Sequence, residues 1–351
     1  VRPVRRPAAA TGTVPSVDDT MASGPIGIVV NPRSGTDVRR SVAAAASVTV
    51  EDKANVVRRV VRGAREAGAR HFMVHHDSHR IIRRATETMR DVELSWIDMA
   101  LTFTEEDTVT AVAAMRSAGC AVVVVIGGDG TNRAAARAWP DLPVVPLSTG
   151  TNNAFPITVE ATVAGAASGH LATGRCRLED VSRMAKVVRV TPSGADLPDD
   201  LALVDAVAVD DPYVGSFELF NPSTLRLAVV TRAEPTAVGF AGVAGLVEPV
   251  GPDDDGGLLL RFGSVADCDR VVRGPTAPGH YDDLGLAEVR RLAEGEEVVV
   301  SGPLLLAFDG ERKRRLLVGE EVVLTVRRDG PRVVDVAAVM SRAAADGAYL
   351  R

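Results

Sequence analysis

Five consecutive β-branched residues, Val122 to Ile126, run straight into Gly127-Gly128-Asp129-Gly130-Thr131. Such a run suits a strand covered on both faces, because branched side chains pack well on a pleated surface with no solvent side. Residues 132–139 then read as a helix. The loop therefore stands at the C-terminal end of a central strand and opens onto a helix N-terminus. Glycines let a backbone come close to a ligand, and the first turn of a helix offers unpaired N–H groups to an anion. Asp129 is a lone carboxylate placed to touch a phosphate-bound metal or a reacting hydroxyl. The same residues also suit a tight strand-to-helix turn with a capping acid, and a short glycine-rich motif does not choose between the two by itself.

A doubly covered strand needs neighbours, and the flanking chain supplies them. Residues 26–30 read as a first strand that ends in the turn formers Asn31-Pro32-Arg33-Ser34-Gly35. Val57, Val60, Val61, Ala64 and Ala67 share one face of a helix over 53–67, with Gly68 as its C-cap. Strands at 71–76 and 92–99 enclose a helix at 81–90. Thr104-Glu105-Glu106-Asp107 resembles a capping box with Asp in the place of Glu, and opens a helix to 118. A strand at 143–147 leads into a polar loop at 148–155, and a small-residue helix over 158–168 closes this half. Alternating strands and helices give a doubly wound parallel sheet, whose ligands bind at the C-terminal strand ends. Asn31, Asp129 and Thr149 all stand on that edge.

After residue 173 the pattern changes. Short apolar runs at 187–190, 201–209, 225–230, 258–262, 298–301, 304–308, 316–318 and 322–326 are separated by turn signals such as Pro192-Ser193-Gly194. Few segments read as helix, so this half is expected to be a β-sandwich. Residues 336–349 read as a helix returning to the first half. A chain of 351 residues fits two domains. The expected division is a flexible tail over 1–24, an α/β nucleotide-binding domain over 25–173 completed by 334–351, and a β-sandwich domain over 174–333.

Composition narrows the partners. A net charge of −6 gives no overall field that draws the chain to nucleic acid or an anionic membrane. No apolar run reaches the ~20 residues of a membrane span. Cys120, Cys176 and Cys268 show no paired or metal-type spacing, which fits a reducing cytoplasm. A small-molecule substrate is expected, with no nucleic acid and no membrane insertion.

Lys53, Lys186 and Lys313 are the only lysines, and none follows a glycine as a Walker A lysine does. A G-x-G-x-x-G fingerprint and a G-x-S-x-G elbow are absent as well. What remains is a set of Gly/Ser/Thr/Asn-rich loops on one sheet edge with one acid among them. Hydroxyls, amides and backbone N–H groups there suit a nucleotide triphosphate, and phosphoryl transfer asks a protein mainly for positioning and charge stabilisation.

Four motifs in this order resemble the NAD kinase/diacylglycerol kinase superfamily: Asn31-Pro32-Arg33-Ser34-Gly35, Gly127-Gly128-Asp129-Gly130-Thr131, Gly150-Thr151-Asn152-Asn153 and Asp309-Gly310-Glu311. The fuller phrase from Pro146 to Phe155 is similar to the AcoX-like branch, which is associated with acetoin catabolism. The resemblance covers about residues 25–340. It implies a Mg·ATP-dependent kinase that moves the γ-phosphoryl group to a hydroxyl of a small soluble acceptor, with an NAD-like nucleotide the first candidate. In its terms Gly127, Gly128, Gly130 and Thr131 contact the ATP phosphates. Asp129 activates the acceptor hydroxyl or helps hold Mg2+. Asn31, Ser34 and Gly35 contact the nucleotide, and Thr149, Gly150, Thr151, Asn152 and Asn153 line the same cleft. Asp309 and Glu311 approach from the opposite wall, Glu311 in catalysis and Asp309 as a Mg2+ ligand with Asp129 and Glu311. A homo-oligomer built through the β domain is implied too.

The departures matter. Ala154 stands where lipid kinases carry an acid. The stretch from Pro235 to Gly245 keeps the small residues of the NAD kinase acceptor segment but lacks its hydroxyls and tyrosine. The Asn-Glu pair that NAD kinases use on the dinucleotide has no evident counterpart, Asp205 and Asp210-Asp211 being the nearest acids. Two further readings therefore stand beside the first: a lipid kinase of diacylglycerol type, and a nucleotide-binding regulator without catalysis.

Three other stretches have plain structural readings. His75-His76-Asp77-Ser78-His79 reads as a strand end and a helix start capped by Asp77 or Ser78, not a metal cluster, because strand neighbours face opposite ways. Arg312-Lys313-Arg314-Arg315 reads as a solvated hairpin or, tethered to Asp-Gly-Glu, as a phosphate contact. Tyr213, Phe217 and Phe220 read as core of the β domain.

Overall fold

The computed structural model describes residues 24–34, 48–148, 153–194, 197–211 and 221–350. Most of the expected tail, together with Gly35, Thr149, Gly150, Thr151, Asn152, Tyr213, Phe217 and Phe220, lies outside them. In the first half, strands β1 (Ile26–Val30), β2 (His71–Val74), β3 (Glu93–Trp96), β4 (Val122–Gly127) and β5 (Pro143–Ser148) alternate with helices α1 (Val50–Glu66), α2 (Ile81–Thr86), α3 (Glu106–Ser117), α4 (Asp129–Ala138) and α5 (Ala161–Ala172). The strands pair in parallel in the order β3-β2-β1-β4-β5. Every residue of β4 is buried. Val122, Val124 and Ile126 face the core shared with α1 and α5, while Val123 and Val125 face that of α3. This two-sided burial is what a period-2 chain of β-branched residues needs. The strand order reverses between β1 and β4, which opens a crevice at their C-terminal ends.

Helix boundaries follow their caps. α1 starts three residues before the expected 53, because Thr49 and Asp52 form a capping box: each side chain accepts the other's backbone N–H. The box expected at Thr104 does not form. Phe103 is in the left-handed region, at φ 59°, and the Thr102 and Phe103 N–H groups instead donate to Asp107. α4 also starts earlier than the expected 132, so Asp129 lies in its first turn.

The first sheet extends past the expected boundary at 173. Strand β6 (Ser182–Met184) and the late strand β18 (Arg332–Val334) add to its β5 edge, β18 parallel to β5 and β6 antiparallel to β18. The chain therefore leaves and re-enters the α/β half side by side. Helix α7 (Val336–Ala345) then packs against α5 through Val336 and Val339.

The second half is two antiparallel sheets. β7 (Val187–Pro192), β8 (Asp200–Ala202), β14 (Glu297–Ser301) and β17 (Glu321–Arg327) form one, in the order β14-β17-β7-β8. β9 (Asp205–Val209), β10 (Leu225–Val230), β11 (Gly257–Gly263), β12 (Arg270–Ala277), β13 (His280–Leu292), β15 (Leu304–Phe308) and β16 (Glu311–Leu316) form the other, in the order β12-β13-β11-β10-β9-β15-β16. Their facing sides share one apolar core, including Val190, Ala208, Leu259, Phe308 and Leu324. The run at 201–209, which reads as one strand, is two: β8 and β9 belong to different sheets, with a corner at Leu203 and Val204. Phe240–Val247, in the small-residue stretch for which the sequence pattern predicts no element, forms helix α6 against the outer face of the larger sheet. The long hairpin β12-β13 escapes the sequence reading because its outward face is laced with ion pairs such as Arg273–Asp283 and Arg261–Glu288. Among the described residues no helix is long and apolar enough to cross a membrane.

Candidate active site

Three glycines of the central loop are each required by a polar side chain from elsewhere in the site. A Cβ on Gly127 would stand 2.6 Å from Thr131 Oγ1. A Cβ on Gly128 would stand 2.7 Å from Asn153 Oδ1, and one on Gly130 2.7 Å from Glu311 Oε1. The loop thus gathers one residue from its own helix, one from the loop after β5, and one from the β half. α4 has no side-chain cap, since its N-cap is Gly128. Its N-terminal turn, pointing into the crevice, is a ready cradle for an anion.

Asn31 closes the β1 side. Its Nδ2 donates to Thr131 Oγ1 at 2.8 Å, and its Oδ1 accepts from the Arg33 N–H at 2.9 Å. Ser34 Oγ donates to the Asn31 carbonyl. Beneath this turn Lys53, fully buried, donates to the carbonyls of Asn31 and Pro32 at 3.2 and 2.6 Å. On the β5 side, Asn153 Nδ2 donates to Ser148 Oγ at 3.1 Å. Asn31, Ser34, Thr131 and Asn153 therefore share one edge.

Asp129 lies at the centre. Its two carboxylate oxygens accept from the N–H groups of Ala154 and Phe155, at 3.1 and 2.9 Å. The residue keeps some surface, but its carboxylate is enclosed. Burial, and then the charge of Asp309, push its pKa up to about 7, against the pull of the two N–H groups and Arg232. Arg232 donates to the Ala154 carbonyl at 2.9 Å and lies over the Phe155 ring.

The opposite wall is a hairpin turn. β15 and β16 are joined by Asp309 and Gly310 alone, with φ of 50° and 79°. Positive φ at both central residues is the type I′ geometry that Asp-Gly favours. Asp309 then serves the corner between β8 and β9. Its carboxylate accepts from the N–H groups of Leu203, Val204 and Asp205 at 3.0, 2.7 and 3.3 Å. A chain that switches sheets leaves such N–H groups without a ladder partner, and this carboxylate supplies one.

Asp205 belongs to the site, although only its neighbourhood was legible in sequence. It is buried, and its Oδ1 has no hydrogen-bond partner among the described residues. Burial first, then Asp309 and Asp129, raise its pKa well above the carboxylate range. Asp309 is raised by burial too, against its three N–H bonds. Three enclosed carboxylates with one orphaned oxygen are chemically suited to a cation or a proton. Even so, among the described residues no three His, Cys, Asp or Glu side chains converge on one metal position. The expected trio of Asp129, Asp309 and Glu311 is not assembled as a cage, because the two aspartates spend their oxygens on backbone N–H groups.

Glu311 pairs instead with Lys313, whose Nζ is 2.5 Å from Glu311 and 2.8 Å from Glu105 of the α/β half. Glu105 in turn meets Arg133 at 3.6 Å and Arg137 at 3.3 Å. Arg133 is buried, donates to the Leu201 carbonyl, and pairs with Asp200 at 2.7 Å. Arg314 also approaches Asp200. The stretch from Arg312 to Arg315 is therefore not a solvated hairpin at Lys313 and Arg314: Lys313 carries charge across the joint to Glu105, and Arg314 pairs with Asp200 inside the β half. The side chain of Arg312 lies outside the described residues.

The histidine stretch is structural at its first member. His75 is buried, accepts from the Val30 N–H and bonds the His76 carbonyl. His76 stacks on Trp96, and Asp77 caps α2 through the N–H groups of Ile81 and Ile82.

Residues 26–175 match the family model of the ATP-NAD kinase N-terminal domain, and residues 186–329 that of the acetoin catabolism protein X C-terminal domain. Acetoin catabolism protein X of Cupriavidus necator is 34% identical over 333 residues, covering 91% of this chain and 92% of that protein. Among solved structures, yeast NADH kinase complexed with NADH has a similar fold, with a TM-score of 0.52 at 12% identity, over 94% of this chain and 89% of that one.

Proposed function

The chain belongs to the acetoin catabolism protein X family, with an ATP-NAD kinase N-terminal domain, and from that premise we propose that it is a Mg·ATP-dependent kinase acting on a hydroxyl of a small soluble acceptor. An NAD-like nucleotide is the first candidate acceptor, because of the domain in the first half. One observation carries the reading: the enclosed carboxylate of Asp129 stands in the first turn of α4 beside an uncapped helix N-terminus, where burial and the charge of Asp309 push its pKa up to about 7. A general base works best when its pKa lies near the operating pH. The α4 cradle, Thr131 and Asn31 bind the phosphates. Asp129 takes the proton of the acceptor hydroxyl as that oxygen bonds to the γ-phosphorus, and the bond from the γ-phosphorus to the β,γ-bridging oxygen breaks to release ADP. Mg2+, when bound with the nucleotide, would supply charge neutralisation for the transferring phosphoryl group. It would need only one or two carboxylates beside phosphates and water, and the oxygen of Asp205 left unpartnered among the described residues, with Asp309 beside it, is the one suited to hold it while Asp129 serves as base.

A second reading has its own observation. The oxygens of Asp129 and Asp309 already anchor backbone N–H groups, as a binding protein without catalysis also requires. ADP release over a panel of NAD, NADH, nucleosides, polyols and lipids separates the two. Turnover on one of them that falls by about 100-fold or more in Asp129→Asn is expected. ATP binding by calorimetry with no turnover on any acceptor sinks the kinase and leaves the regulator.

A further inference from the structure

Two of the three lysines are committed to backbone. Lys53 donates to Asn31 and Pro32, and Lys186 donates to the carbonyls of Gly251 and Gly256 at 3.0 and 2.9 Å. Lys313 is different, because its partners are two carboxylates from opposite sides of the cleft. One of them, Glu311, places an oxygen at the first turn of α4, where a Cβ on Gly130 would meet it. A carboxylate is thus lying at a helix N-terminus that equally suits a phosphate, and the lysine ammonium is beside it.

We propose that Lys313 is the cation that receives the terminal phosphates of the nucleotide, exchanging Glu311 for phosphate while Glu105 keeps hold of it. The inference rests on the nucleotide-binding reading and adds to it the charge that a Walker A lysine supplies elsewhere. Three details of the geometry favour the exchange. An ammonium has three donors on a flexible stem, so it changes one partner without losing the other. Glu105 is fixed from behind by Arg133 and Arg137, which makes it the lasting anchor. Among the described residues Glu311 has no such second cation, and its side chain is the more exposed of the two, at 45% against 30%. A polyphosphate carries more charge than a carboxylate and so competes for the same donors. Burial works against the charge on Lys313, but Glu311 and Glu105 outweigh it and hold its pKa above the ordinary value.

The experiment is calorimetry with three probes, Mg·ATP, AMP and Mg·pyrophosphate, on the full chain and on Lys313→Met and Lys313→Arg. Lys313→Met is expected to weaken Mg·ATP and Mg·pyrophosphate by about tenfold or more, as loss of one charge-assisted contact does, and to leave AMP within about twofold. Lys313→Arg is expected to recover most of the loss, which a merely misfolded variant does not predict. Equal affinity of Lys313→Met and the unaltered chain for Mg·ATP overturns the proposal. If the unaltered chain ignores Mg·ATP but binds pyrophosphate through Lys313, the nucleotide reading fails and the phosphate contact stands. If it binds neither, both fail.

Discussion

A buried acid near pH 7 has a thermodynamic signature that needs no substrate. Asp129 has its pKa pushed from 3.8 in the open chain to about 7 in the fold. Between those values the folded state binds more protons than the unfolded one, so stability must fall as pH rises. Integrating that difference from pH 5 to pH 8 gives a loss of about 2–3 kcal/mol for this one group. Asp129→Asn removes the titration but keeps the shape. It also turns an amide NH2 toward one of the two N–H groups of Ala154 and Phe155, a cost of about 1–3 kcal/mol that does not vary with pH. The informative quantity is therefore the difference between the two proteins followed across pH. Urea unfolding at pH 5, 6, 7 and 8, read by the fluorescence of Trp96 and Trp139, should show the unaltered chain losing about 2–3 kcal/mol relative to Asp129→Asn. A difference constant within about 0.5 kcal/mol over that range refutes the reasoning, because it means Asp129 titrates alike folded and unfolded.

The other tests address neighbours. Gly130→Ala places a Cβ in the first turn of α4, where the phosphates are proposed to sit, and is expected to weaken Mg·ATP binding by about tenfold with little change in the urea midpoint; unaltered affinity in calorimetry contradicts a phosphate seated at that turn. Asp309→Ala strips three N–H groups of their acceptor at the β8-β9 corner and should cost about 3 kcal/mol or more in urea unfolding. Arg133→Met leaves Asp200 with the more distant Arg314 and Arg137, and a destabilisation of about 3 kcal/mol is expected on the same measurement.

The N-terminal α/β layer was legible because its signals are local. A β-branched run followed by glycines can be a doubly buried strand and a turn wherever it lies, and β4 with its loop took that form. The apolar faces of α1 and the turn formers after β1 are local signals of the same kind. Even so, local signs misplaced the cap of α3, where a left-handed Phe103 turned the N–H groups toward Asp107. Charge-laced strands gave no apolar signal, so β12, β13 and β16 went unseen.

What the site became was decided by contacts between residues far apart in the chain. Asn31 meets Thr131 across 100 positions, Asp309 meets the β8-β9 corner across more than 100, and Lys313 meets Glu105 across 208. No local pattern encodes such pairs, because each exists only once distant segments have packed: Asn31 and Thr131 within the α/β half, Asp309 and its corner between the two antiparallel sheets, and Lys313 and Glu105 across the joint between the halves, where Ala136, Phe155, Leu203 and Val204 share one apolar cluster. Residue types and motif order were therefore readable from the sequence alone. The burial that lifts Asp129, the enclosure of Asp205 and the grip on Lys313 are properties of the packed molecule, since a pKa and an ion pair depend on what surrounds a side chain and not on its chain neighbours.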